Sequence, residues 1–173
     1  MIVVTCGLVF APVSYVGAGL STQAGSSGWQ PLGLVYESNM INAPTLVGDS
    51  AGIIHLIWTG HTLGQPDDSP EVVLYARWDG SGWIGETDVQ AATTGAAWTE
   101  AVVGTDSILH LIWTDEQQLY YSQAPTWSAM DPRSWSQRQL ISDHLRVFTP
   151  GDIEITAVGD LHAVFAASDQ GAV

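Results

Sequence analysis

Lysine is absent from the 173 residues, cysteine occurs once, and charged residues make up only 13% of the chain. Without lysine, four arginines face eighteen acidic residues, and the formal charge is −14. A field of that sign repels phosphate backbones, which excludes nucleic acid as an expected partner. Cys6 stands alone and cannot form an internal disulfide, so cysteine says nothing about redox compartment. No segment holds a long helical period, and no cysteine or histidine spacing suits a metal, so neither metal nor other cofactor is expected. What is plentiful is tryptophan, with eight residues, and glycine, with eighteen, in a chain that is 46% hydrophobic. That composition suits a folded chain of short strands joined by tight turns.

Charge is also missing from the start of the chain, where the first charged residue is Glu37. Residues 1–24 read as an apolar N-terminal segment of the signal-peptide kind, with Thr22 and Ala24 at the −3 and −1 positions of a cleavage before Gly25. A basic n-region is lacking. A membrane-spanning helix is the competing reading, disfavoured by Gly7, Pro12, Gly17 and Gly19; a buried strand pair is the third. The export reading makes the protein secreted or cell-surface, with residues 25–173 as its folded part. Cys6 precedes the apolar run and is not placed as a lipidation site.

An internal repeat organises the rest. His55-Leu-Ile-Trp58 recurs as His110-Leu-Ile-Trp113 and in altered form as His162-Ala-Val-Phe165, and Trp29, Trp83 and Trp135 keep the same phase. Val47-Gly48, Val103-Gly104 and Val158-Gly159 precede the three histidines at shrinking distances, which reads as a hairpin of variable loop length. Each unit then holds four strands. Strand A is expected at Thr45–Gly48, Thr99–Gly104 and Ile153–Gly159, and strand B at Ile53–Thr59, Ile108–Thr114 and Leu161–Ala166. Strand C is expected at Val72–Trp78 and Leu119–Gln123, and strand D near Trp29–Tyr36, Trp83–Val89 and Trp135–Ile141. A four-stranded antiparallel sheet repeated about every fifty residues predicts an all-β chain, a partial β-propeller of tandem blades. The apolar run Ile53-Ile-His-Leu-Ile-Trp58 fits a strand buried on both faces. The count is one orphan D strand, two whole blades and half of a third. Its open edge is expected to pair with missing blades or with a second copy.

The turn Asp79-Gly-Ser-Gly-Trp83 resembles the Asp-box of sialidase-type propellers, and residues 28 to 173 resemble their repeat. Asp79 and Trp83 stand four apart where that motif has five, and the second blade carries Thr126-Trp-Ser-Ala-Met-Asp-Pro-Arg-Ser-Trp135 in its place. The resemblance implies a six-bladed ring, with glycans bound on the face formed by the B–C and D–A loops. On the turn face, Asp49, Asp79 and Asp106 are expected to cap their own backbone, with Arg77 beside them. On the loop face, the candidate ligand-binding residues are His61, Asp67 and Asp68 of the first B–C loop and Asp115 and Glu116 of the second. Trp98, Glu100 and Arg146 join them from the D–A connections, near Asn42, His144, Asp152, Glu154 and, from the third B–C loop, Asp169. The repeated histidines read as buried groups bonded to turn backbone, and Trp58, Trp113, Tyr75 and Tyr120 as core in phase.

Two functions follow. One is an extracellular module that recognises a carbohydrate or a protein partner without catalysis in this segment. The other is a fragment of a glycoside hydrolase, an exo-α-sialidase by resemblance, which implies an arginine triad, a Tyr nucleophile assisted by Glu, and an Asp acid/base. Arg77, Arg133 and Arg138 belong to the turn region and only Arg146 to a D–A loop, and no Phe/Tyr-Arg-Ile-Pro motif occurs. No catalytic residue is assigned.

Overall fold

A computed structural model describes residues 42–62, 64–66, 68–93, 95–143 and 145–169, together with the strand pairing of residues 2–9 and 29–38. These residues hold twelve strands and no α-helix. Strands β3 (Thr45–Gly48), β4 (Ile54–Gly60), β5 (Val72–Trp78) and β6 (Trp83–Ala91) form one antiparallel sheet in chain order. Strands β7 (Ala97–Val103), β8 (Ile108–Asp115), β9 (Gln118–Pro125) and β10 (Gln139–Leu140) form a second with the same order. A hairpin of β11 (Leu145–Ile155) and β12 (Leu161–Asp169) follows, and one of β1 (Ile2–Val9) and β2 (Trp29–Ser38) precedes. The expected leader therefore contains a strand, β1, and the D strand at Trp29 is paired with it; the cleavage position before Gly25 lies outside the described residues.

The three A–B turns are the most regular feature. Asp49–Ile53, Gly104–Ile108 and Thr156–Asp160 are equal in length, and each is closed by a bond from its first N–H to its last carbonyl, at 2.9, 2.8 and 2.9 Å. Each carries its fourth residue at positive φ, Gly52 at 81°, Ser107 at 63° and Gly159 at 92°. The variable loop expected from the Val-Gly pairs is thus corrected. Val47 pairs with His55 but Val102 pairs with His110, so the valines were matched one residue out of phase, and Val158-Gly159 falls inside a turn. Side chains cap these turns as expected: Asp49 Oδ1 accepts from the N–H groups of Ala51 and Ile53, and Asp106 Oδ1 from that of Ile108. Asp79 Oδ1 likewise accepts from the N–H groups of Ser81 and Gly82 and the Ser81 hydroxyl, which lowers its pKa.

The sheets stack in chain order, β7 lying against β3 and β4, and β11 against β7, β8 and β9. Strand alternation explains what fills the gaps. Ile57, Val73, Tyr75 and Val89 meet Leu109, Leu111, Trp113 and Trp135 in one core between the two complete sheets. Ile112 and Leu119, on the other face of the second sheet, meet Val147 and Ile153 of the hairpin. Trp58 and Leu56 belong to a third cluster on the far face of the first sheet. Sequence phase thus places Trp113 between sheets, where it is 0% exposed. The second C–D connection departs from a tight turn: two 3₁₀ turns, Thr126–Ser128 and Pro132–Ser134, replace it, and Trp135 Nε1 donates to Ala129 O across them. Trp135 is buried in the core between the two complete sheets, and the final strand is only Gln139–Leu140.

Candidate functional site

The B–C and D–A connections gather at one end of the sheets, and polar bonds stitch them together. Asp115, at the end of β8, is buried; its Oδ1 accepts from Thr93 N–H and hydroxyl, and its Oδ2 lies 3.3 Å from Arg138 NH1. The same guanidinium donates to Ala91 O and sits 4.8 Å over the Tyr120 ring. Arg138 was expected on the turn face. It lies instead against Asp115 and Ala91 at the loop end. Asp115 therefore serves as a fastener for Thr93 in the connection after β6, and its neighbour Glu116, at φ 50°, forms with Gln117, at φ 66°, the tight connection of β8 to β9.

Glu71, unremarked in the sequence because it sits at a loop-strand boundary, is buried here with His61. Its carboxyl takes the Ala96 N–H, while Oε2 has no hydrogen-bond partner among the described residues. Burial raises its pKa, opposed by the proximity of His61. Asp68 is exposed, and Asp67 and His144 lie outside the described residues. The first B–C loop is thus split, its histidine turned into the fold and its Asp68 into water.

Trp98 and Arg146, expected in loops, lie on strands, and Glu100 lies within the strand expected from Thr99 to Gly104. Trp98 and Glu100 belong to β7, and Arg146 to β11, as do Asp152 and Glu154. The sequence pattern hid the placement of Trp98 and Arg146 because both strands are interrupted by register shifts, at Ala97/Thr99 in β7 and at Val147/Thr149 and Pro150/Asp152 in β11. Arg146 is exposed, its guanidinium 6.0 Å over the Phe148 ring.

Strands β3, β7 and β11 each form the edge of their own sheet, and they lie side by side. The hydroxyl of Thr45 on β3 donates to Glu100 Oε2 on β7 at 3.4 Å, and Asp152 on β11 is close enough to raise the Glu100 pKa further after burial has done so. Asn42 Nδ2 donates to Ala96 O at 2.7 Å, which ties the start of β3 to the start of β7. Two residues before Glu100, Trp98 is 46% exposed on a backbone at φ 52°. A bulky residue in that region is strained, at about 1–3 kcal/mol. The strand accepts the strain to hold the ring out at a bulge. No family model and no curated protein matches this chain.

Elsewhere, polar groups are bound into structure. His55 and His110 were expected to bond turn backbone; their Nδ1 atoms instead face Tyr75 and Tyr121 hydroxyls, and the turn carboxylates of Asp49 and Asp106 lie on the other side. His162 is exposed. Arg133 sits in a 3₁₀ turn and Arg77 on β5, so the four arginines are dispersed over the structure. Among the described residues, no three histidine, cysteine or acidic side chains are grouped to hold a metal. A groove of 510 Å³ runs between Asp88–Ala91 and Pro132–Gln137, and there Gln90 is held by Ser122 Oγ and Ser136 O.

Proposed function

We propose that the stacked sheets are consecutive blades of a sialidase-like β-propeller, and that this segment is an extracellular module recognising carbohydrate without cleaving it. The observation that carries the reading is Trp98, half exposed and at positive φ two residues before Glu100 on β7. An aromatic face supplies the stacking surface and carboxylates supply the acceptors that a sugar ring requires. In a propeller the innermost strands line the centre, and β3, β7 and β11 are the strands with free inner edges. The Asp79 turn, whose carboxylate accepts from the N–H groups of Ser81 and Gly82 just before Trp83, supports kinship with Asp-box proteins.

A hydrolase reading draws on one observation, the raised pKa of Glu100 beside Asp152, which resembles the pairing of a carboxylic acid with a carboxylate. Recognition is preferred because the arginines do not converge on that pair.

Glycan-array binding of the wild type, Trp98→Gly and Glu100→Gln tests the reading. Glycine relieves the backbone strain, so Trp98→Gly is expected to keep or raise the melting temperature while binding falls at least tenfold. Unchanged binding in both variants refutes the site, and a lowered melting temperature for Trp98→Gly shows the ring to be structural.

A further inference from the structure

At the edge of the first sheet opposite β3, strand β6 faces the second C–D connection across the groove of 510 Å³. Four consecutive residues of the strand, Asp88 to Ala91, line it. A regular strand turns alternate side chains to opposite faces. Here a bulge intervenes: Gln90 pairs with Val73 but Asp88 pairs with Leu74, so Val89 is an extra residue with no partner opposite. Bulges on edge strands re-aim side chains in this way.

The polar groups of the groove are acceptors. Gln90 Nε2 donates to Ser122 Oγ and to Ser136 O, each at 3.0 Å, and the Ser122 hydroxyl donates to the same carbonyl at 2.8 Å. Both amide hydrogens are thus committed, and since a carbonyl can only accept, the amide is fixed with Oε1 as its remaining acceptor. Two residues earlier, Asp88 is exposed along the groove, yet partial burial raises its pKa, and no donor or cation opposes that shift. None of the lining residues is basic. The buried ones, Val89 and Trp135, are apolar, and the Trp135 N–H is already bonded to Ala129 O. At the end of the groove, Ala91 O takes Arg138 NH1 at 3.3 Å, so a cation of the chain itself already meets an acceptor of this strand.

We propose that this groove binds a primary alkylammonium group, its charge held by Asp88 and Gln90 Oε1 and its carbon stem lying along Val89 and Trp135. An ammonium brings three donors and a compact charge, which complements a carboxylate and a fixed amide oxygen that lack donors of their own. A sugar hydroxyl brings one donor and no charge, and an anion meets no basic side chain here. The chain charge of −14 raises the concentration of cations near the surface, and the volume falls in the range of about 300–1,000 Å³ usual for small-ligand sites. A free diamine and the lysine side chain of a peptide share this chemistry. The groove has no residue in common with the Trp98 site, and neither reading depends on the other.

Calorimetric titration with cadaverine tests the site, at about 0.15 M salt so that the general field of the chain is screened. Saturable one-to-one binding is expected, and 1,5-pentanediol, the neutral molecule of the same length, is expected not to bind. Asp88→Asn is expected to weaken cadaverine by about tenfold, as loss of one charge-assisted bond implies. Asp160→Asn makes the same change of charge at an exposed turn and is expected to leave binding as it is. A Gly-Lys-Gly peptide blocked at both ends separates the two sources: tighter binding of the peptide assigns the groove to a lysine side chain, and tighter binding of cadaverine to a free amine.

Equal weakening by Asp88→Asn and Asp160→Asn overturns the proposal, because the amine then answers only to net charge. Binding of pentanediol as tight as that of cadaverine overturns it as well, since the groove is then an apolar slot. So does the absence of saturable binding at millimolar amine.

Discussion

The Tyr75 hydroxyl lies 2.7 Å from His55 Nδ1, and one sheet later Tyr121 stands 2.8 Å from His110 Nδ1. Tyr75 pairs with Ile57 and Tyr121 with Ile112, so these tyrosines are equivalent, and the phase match of Tyr75 with Tyr120 is corrected by one residue. Removing the Tyr75 hydroxyl leaves a fully buried ring nitrogen unsatisfied. Tyr75→Phe is expected to cost about 1–3 kcal/mol in urea denaturation, and Tyr121→Phe less, since that site is only part-buried.

Both histidines are held below the ordinary value of 6.5, first by burial, with Asp49 and Asp106 opposing. A depressed folded-state pKa means that the unfolded chain takes up the proton first. The stability due to neutral histidine is therefore complete above about pH 6.5 and is lost as pH falls through the folded-state value. Glu71 and Glu100 act the other way: their raised pKa values make their ionisation cost stability as pH rises through those values. The difference between wild type and His55→Gln isolates the histidine contribution, and it is expected to shrink as pH is lowered from 7 to 5. A difference constant over that range would mean that His55 is not held neutral.

Trp113 fills the gap between the complete sheets at 0% exposure, so Trp113→Ala is expected to cost about 3–5 kcal/mol. Asp79 caps an exposed turn, and Asp79→Ala is expected to shift the denaturation midpoint far less. Equal shifts of the denaturation midpoint would contradict these placements.

Asp115 fastens Thr93 in the connection after β6 and holds Arg138. Asp115→Asn keeps the size and weakens the acceptor, and hydrogen exchange at the Thr93 amide is expected to quicken while the amides of β8 stay protected. Faster exchange throughout β8 would assign the residue to the core of the sheet.

The strands β3 to β6, β8 and β9 were legible in the sequence to within two residues at each end, because tryptophan and histidine recur in phase and runs buried on both faces stay apolar. Of the inner strands, β3 and β7 were legible to the same margin and β11 was not. Register shifts in β11 break the two-residue period, so Arg146 reads as a loop residue, and the shift at Ala97/Thr99 in β7 leaves Trp98 just outside the strand expected from Thr99. The loop-end candidates divided for a related reason: exposure of a loop carboxylate depends on what lies opposite it, and nothing near Asp115 in the chain announces Arg138.

Local chemistry therefore determined this protein's strand content, its repeat length and the Asp caps of its turns, since each depends on neighbours a few residues away. Only tertiary structure decided which polar groups became fasteners and which edges remained open. Both outcomes depend on groups brought together from different sheets, as Asp115 is with Thr93 and Val147 with Ile112. A period of two or of fifty residues carries no record of such meetings.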